Sequence, residues 1–219
     1  LISLANDRDL AFEELLALYP NLTPKQIYDG LDELVAGQVV ERTSDRYAVS
    51  HPGVHAVLRR MFPDSERRRL HCMLAELFAR RGNEEFRRAL HLFRAGESAA
   101  GLDVLVAYAQ HSQALTDSRP HEYLKLVQSM PDNWLEVYTR AIARCIELDR
   151  PVLQLFTLRH RLAGLVNVTG APSTITHAEV LELVRRLAHE SGLEDYGALD
   201  PALPPSERLQ RAMAISKQR

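Results

Sequence analysis

Between Thr23 and Val49 the spacing of apolar residues changes from three or four to two, and that change fixes what the segment can fold into. Ile27, Leu31, Leu34 and Val35 recur at helical spacing and predict one buried helix face. Thr23-Pro24 supplies the start signal. A threonine hydroxyl accepts from the unbonded amides of a first turn, and proline has no amide to waste there. Gly37 stands where a left-handed C-cap is wanted. Val39-Val40-Glu41-Arg42 and Arg46-Tyr47-Ala48-Val49 then flank the polar turn Thr43-Ser44-Asp45, which predicts a hairpin. A capped helix followed by a short hairpin is how a winged helix reads. Upstream, residues 9–19 place Leu10, Phe12, Leu15, Leu16 and Tyr19 on one face and predict a helix ended by Pro20. Downstream, His51-Pro52 closes the strand and opens a helix carrying Val54, Val57, Leu58 and Met61.

From Pro63-Asp64 onward the pattern is helical throughout. The expected division is a winged-helix-like domain over 1–63 and tetratricopeptide-like α-helical repeats over 64–219. Helix pairs are predicted to start near Asp64, Ser98, Asp132 and Thr176, and the first two steps are about 34 residues, the tetratricopeptide period. Two loops rich in Gly, Pro, Ser and Thr, Asn167–Thr176 and Gly192–Pro205, interrupt the later part, the second ahead of a final helix. The fold class is therefore mainly α, a winged helix with a small β-hairpin followed by a helical repeat array. Leu31, Leu34, Leu58, Leu74, Leu77, Leu105, Trp134 and Leu155 are the expected core.

The chemistry visible in the sequence is sparse. There is no Walker-type phosphate loop and no Gly-x-Ser-x-Gly elbow, and no nucleophile is set beside a base and an orienting group, so no intrinsic catalysis is expected. Cys72 and Cys145 fit no metal or redox spacing and read as reduced helix residues of a cytoplasmic protein. The apolar runs fall short of the ~18 residues of a membrane span. A formal net charge of −2 gives no global attraction to nucleic acid. The helix that would enter a major groove offers Lys25 and Gln26 against Asp29, Asp32 and Glu33, so it repels phosphates and disfavours DNA reading by this module. The alternative, a DNA-binding winged-helix transcriptional regulator, rests on the fold alone. The run Arg59, Arg60, Arg67, Arg68 and Arg69 reads as solvated helix faces neutralised by Asp64, Glu66 and Glu76, with a phosphate or acidic-partner contact as the rival. His51 and His55 are four apart with no third ligand in reach, which makes a zinc site a poor reading. His71 and His91 read as packing residues. Tyr108, Trp134 and Tyr138 are the candidate partner-binding residues, as aromatic anchors of a concave groove, with inter-helix core as the competing role.

Several stretches together resemble a known family: Ile27–Val40 ending in Gly37-Gln38-Val39-Val40, Tyr47-Ala-Val-Ser-His-Pro, Arg68-Arg-Leu-His-Cys-Met-Leu-Ala-Glu-Leu, and Ala89-Leu-His-Leu-Phe-Arg-Ala-Gly. They are similar to the C-terminal region of signal-transduction ATPases with numerous domains, the class that includes the maltose-regulon activator and many bacterial regulators. The likeness covers about residues 10–115, with a weaker repeat-like continuation. It implies a non-catalytic regulatory fragment of a larger signalling or transcription-regulating ATPase, and the start at Leu1 reads the same way. The winged helix would be a relay arm packed on the protein's own nucleotide-binding domain. The repeats would sense an inducer or bind a protein, a peptide or a second copy. No cofactor belongs to this stretch, and ATP or ADP would be held elsewhere in the full-length protein. Through Ser50-His51-Pro52 the resemblance makes His51 the residue that reaches the nucleotide phosphate. Gly53 departs from the bulkier apolar residue of many relatives.

Overall fold

The computed structural model describes residues 2–5, 9–82, 84–131, 133–171 and 177–190. Helix α2 (Pro24–Ala36) begins as its cap residues dictate. Gln26 donates its backbone amide to Thr23 Oγ1 at 3.3 Å, and Gln26 Oε1 accepts the Thr23 amide at 2.8 Å. This reciprocal box satisfies two amides that the helix itself cannot. Ile27 and Leu31 are buried and Val35 half-buried, whereas Leu34 is 40% exposed. Leu34 thus leaves the expected core: with Ile27, Leu31 and Val35 pointing inward, it falls on the flank of that face. The helix also ends one residue later than expected. Gly37 has φ −77°, and Gln38, at φ 57°, takes the left-handed position. The Gln38 amide donates to Val35 O and the Val39 amide to Leu34 O, which closes a Schellman-type end.

Strands β2 (Val40–Thr43) and β3 (Arg46–Val49) pair antiparallel, Val40 opposite Val49 and Thr43 opposite Arg46, so Ser44-Asp45 alone makes the turn. A third strand lies inside the segment read as one helix. β1 (Leu10–Ala11) pairs with Tyr47 and Arg46, and helix α1 (Phe12–Leu18) starts only after it. The sheet order is β1-β3-β2. Pairing with β3 satisfies the backbone of Leu10 and Ala11 better than a fraying first turn, and the Phe12 amide continues to Asp45 O.

Helix α3 (Pro52–Met61) follows the sheet, with Leu58 half-buried. Next come α4 (Asp64–Arg81) and α5 (Glu85–Ala95). Leu70, Leu74, Leu77 and Phe78 of α4 join Leu10, Leu15, Leu18, Ile27, Leu31, Val40 and Tyr47 in one core. Gly96, left-handed at φ 95°, ends α5, with the Glu97 amide donating to Leu92 O. Helix α6 (Ser98–Ser118) begins beside α5, where a Cβ on Gly101 would meet the buried Phe93 ring at 3.1 Å. Glycine leaves that approach unstrained, where a larger residue would push the ring aside.

The chain divides into two compact units, 1–108 and 109–219, with the division inside α6 and the expected boundary at residue 63 inside the first unit. The second unit contains α7 (Pro120–Gln128), α8 (Trp134–Glu147), α9 (Val152–Thr169) and α10 (His177–Glu190). Helix α9 packs against both α8 and α10, and Leu155, Phe156, Leu158 and Leu165 are all buried. Trp134 is half-buried. The loop and final helix expected after Gly192 lie outside the described residues. Among the described residues no helix is long and apolar enough to cross a membrane. The protein is mainly helical with one small antiparallel sheet.

Candidate functional site

The end of α2 and the hairpin border a shallow, open cleft of about 540 Å³ lined by Val35, Gln38, Val40, Glu41, Arg42, Ser50 and His51. The left-handed turn at Gln38 forms one wall. Ser50 clamps it, its hydroxyl donating to Gln38 O and its amide to Val39 O. His51 sits at the N-cap of α3, and its Nδ1 accepts the Gly53 amide at 3.0 Å. In the neutral ring the proton therefore resides on Nε2. The ring is exposed. A Cβ on Gly53 would stand 3.2 Å from His51 Nδ1, so glycine here leaves room for this cap. The side chain of His55 lies outside the described residues.

Arg42, on the opposite strand, donates from Nε to Ser44 O at 2.8 Å and lies over the Tyr47 ring at 5.8 Å. A hydrogen bond with Tyr28, and then the electrostatic influence of Tyr47, push its guanidinium above the ordinary value. Arg46 is paired with Asp9 at 3.0 Å. The wing cations thus have partners within the chain. On α2 itself Lys25, Gln26, Asp29, Asp32 and Glu33 are all exposed, one base against three acids.

The basic run after the winged helix is paired in part, with Arg60 and Arg68 exposed. Arg67 pairs with Asp64, and Arg69 pairs bidentately with Glu66. Arg87 pairs with Glu84 at 3.2 Å. Arg81 donates to both oxygens of Glu14, whose second role is to accept the Ala11 amide at 2.8 Å. The side chain of Arg59 lies outside the described residues.

The three aromatic candidates fall in different units. Tyr108 belongs to the first unit, where it is buried edge-to-face with Phe86 at 5.8 Å. Trp134 and Tyr138 belong to the second, and Tyr138 has no exposed surface at all. Tyr108 and Tyr138 are core residues because each falls on the inward stripe of its helix, with Leu105 and Ala109 or with Val137 and Ala141. Trp134, at the first turn of α8, retains some surface. His71 and His91 form a buried pair, Nδ1 to Nδ1 at 2.9 Å, with Phe78 stacked on His91. Among the described residues no group of three metal-ligating side chains occurs. Burial pushes the thiols of Cys72 and Cys145 up, the opposite of what an activated nucleophile needs.

Sequence reasoning singled out His51 but overlooked Gln38, Arg42 and Ser50 around it. The signal for Ser50 was its place between the strand and the helix start. Nothing in the sequence marks Gln38 as left-handed, since Gly37 beside it is the better candidate by composition.

No family model matches the chain, and no curated protein matches it. Among solved structures it is similar to a signal-transduction ATPase with numerous domains carrying a tetratricopeptide-repeat sensor, from Pyrococcus horikoshii. The identity is 17% and the TM-score 0.47 over 99% of this chain. The chain spans 30% of that protein's length.

Proposed function

We propose that this chain is a non-catalytic regulatory module, its winged helix serving as a protein-facing relay arm and its helical array as a sensor or partner-binding surface. The observation that carries this reading is the exposed face of α2. On the helix that a DNA-binding winged helix would lay in the major groove, Asp29, Asp32 and Glu33 are exposed beside Lys25 alone. Duplex affinity comes from neutralising phosphates, and this face adds negative charge to negative charge. Leu34 and Tyr28, exposed on the flanks of α2, suit a protein surface better than a groove.

The arm has a natural contact for a nucleotide. His51 spends Nδ1 on capping α3 and keeps Nε2–H as a donor, the atom that would meet a phosphate oxygen. The ATP or ADP would be held by a nucleotide-binding module of the full-length protein, in a cytoplasmic switch. The measurement that tests the relay reading is an anisotropy titration of the chain with random duplex DNA at low salt. Affinity weaker than micromolar is expected. Micromolar or tighter binding with a steep salt slope would establish the DNA-binding alternative instead. For the nucleotide contact, His51→Ala in the full-length protein should speed release of bound nucleotide, and an unchanged release rate removes His51 from the contact.

A further inference from the structure

Helix α9 buries an arginine that the sequence did not single out. Arg161 is 2% exposed, and its Nε and Nη2 have no hydrogen-bond partner among the described residues. An arginine cannot shed its proton to escape burial, so the charge is present and desolvated. What faces it is the ring of Tyr123 on α7, 4.5 Å from the guanidinium carbon to the ring centre. A ring face offsets part of the desolvation but offers no acceptor in the plane of the fork. Gln154, seven residues earlier on the same side of α9, has a buried carbonyl oxygen that also lacks a partner among the described residues. This face of α9 is left unsatisfied twice, although buried polar groups are almost always bonded.

The cover over Arg161 is weakly fastened. α7 has nine residues, and Tyr123 is its one fully buried side chain. It follows Arg119 through Pro120 and ends at Ser129, so short connections bound it on both sides. An element held by so little buried apolar surface opens locally at low free energy.

We propose that Arg161 anchors a gated oxyanion site in the second unit, covered by α7 through Tyr123, which takes a small carboxylate or phosphate ligand. The fork of Nε and Nη2 suits two parallel hydrogen bonds to either group. The ligand would be an effector. The proposal rests on the sensor reading only for its use. The duplex titration tests that reading and the anion titration tests this site, so either fails alone.

The experiment is thermal unfolding of the full chain in rising inorganic phosphate and, separately, rising succinate, with sodium chloride holding ionic strength constant. Fluorescence of Trp134, the single tryptophan, follows the second unit. One or both anions should raise the midpoint with the logarithm of concentration, and the anion that does so identifies the ligand group. Arg161→Met should abolish the rise, and Arg161→Lys, which keeps charge but loses the fork, should weaken the apparent affinity about tenfold. Amide exchange over α7 should slow when the anion is bound. No rise with either anion overturns the proposal, as does an equal rise in Arg161→Met. If Arg161→Met does not fold, full affinity in Arg161→Lys with unchanged exchange over α7 overturns it equally.

Discussion

Each unit buries an arginine against an aromatic ring, and the two are treated in opposite ways. Arg81 lies over Phe78 at 5.2 Å and Arg161 over Tyr123 at 4.5 Å. Arg81 has its countercharge in the chain, Glu14, and the two side chains are 17% and 18% exposed. Arg161 has no carboxylate at its Nε or Nη2 among the described residues. The first arginine ties α4 to α1 and so fixes how the sheet-bearing part sits on the helices behind it. The second is unsatisfied where a structural role would call for a partner, which is the arrangement of a site and not of a clamp.

The sharpest way to break this comparison is to make Arg81 resemble Arg161. Glu14→Gln leaves the guanidinium half-buried without its charge partner, and urea unfolding should report a loss of about 2–3 kcal/mol. The same residue sets a pH dependence. Burial alone would raise the Glu14 carboxyl, but the hydrogen bonds from Arg81 and from the Ala11 amide outweigh it and hold the group below the ordinary 4.5. Its contribution is thus complete above that value and disappears as pH falls through the lower folded value. Wild-type protein should lose stability on acidification below about pH 4.5 more steeply than Glu14→Gln, and parallel acid limbs would count against the ion pair. Next in size is Tyr123→Leu. Removing the ring over Arg161 should lower stability by about 1–2 kcal/mol and quicken amide exchange across α7. Arg161→Met comes third, with a change of under about 1 kcal/mol or a gain, because replacing an uncompensated buried ion with an apolar chain relieves its desolvation. A large loss there would put Arg161 in the same structural class as Arg81. Smallest is Arg69→Ala, an exposed pair with Glu66, for which the urea midpoint should not move measurably.

Local signals in the sequence carried much of the first unit. Thr23, Pro24 and Gln26 spell a helix start in side-chain chemistry, and the alternation over Val39–Val49 spells the hairpin. What escaped depended on tertiary contact. Leu10 and Ala11 belong to a strand only because β3 lies beside them, and a helical periodicity continues straight through them. Leu34 fits the apolar pattern of α2 but lies on the exposed flank of its buried face. Tyr108 and Tyr138 looked like anchors because aromatic composition does not say which way a helix faces. The cleft was legible at His51 alone, since it is built from backbone turns at Gln38 and Ser50. Arg161 had a signal that went unread: it stands three residues after Leu158 and four before Leu165, inside an apolar stripe.

The sheet order has a consequence for how the protein behaves when concentrated. With β3 in the middle and β1 reaching only Arg46 and Tyr47, β2 is left as a four-residue outer edge. Such an edge invites another chain to add a strand. Here the invitation is refused by charge, because Glu41 and Arg42 are exposed on that strand and Asp45 stands at its turn. Strand-by-strand stacking is thereby discouraged, and replacing Glu41 and Arg42 together with valine should increase association as concentration rises, read by light scattering.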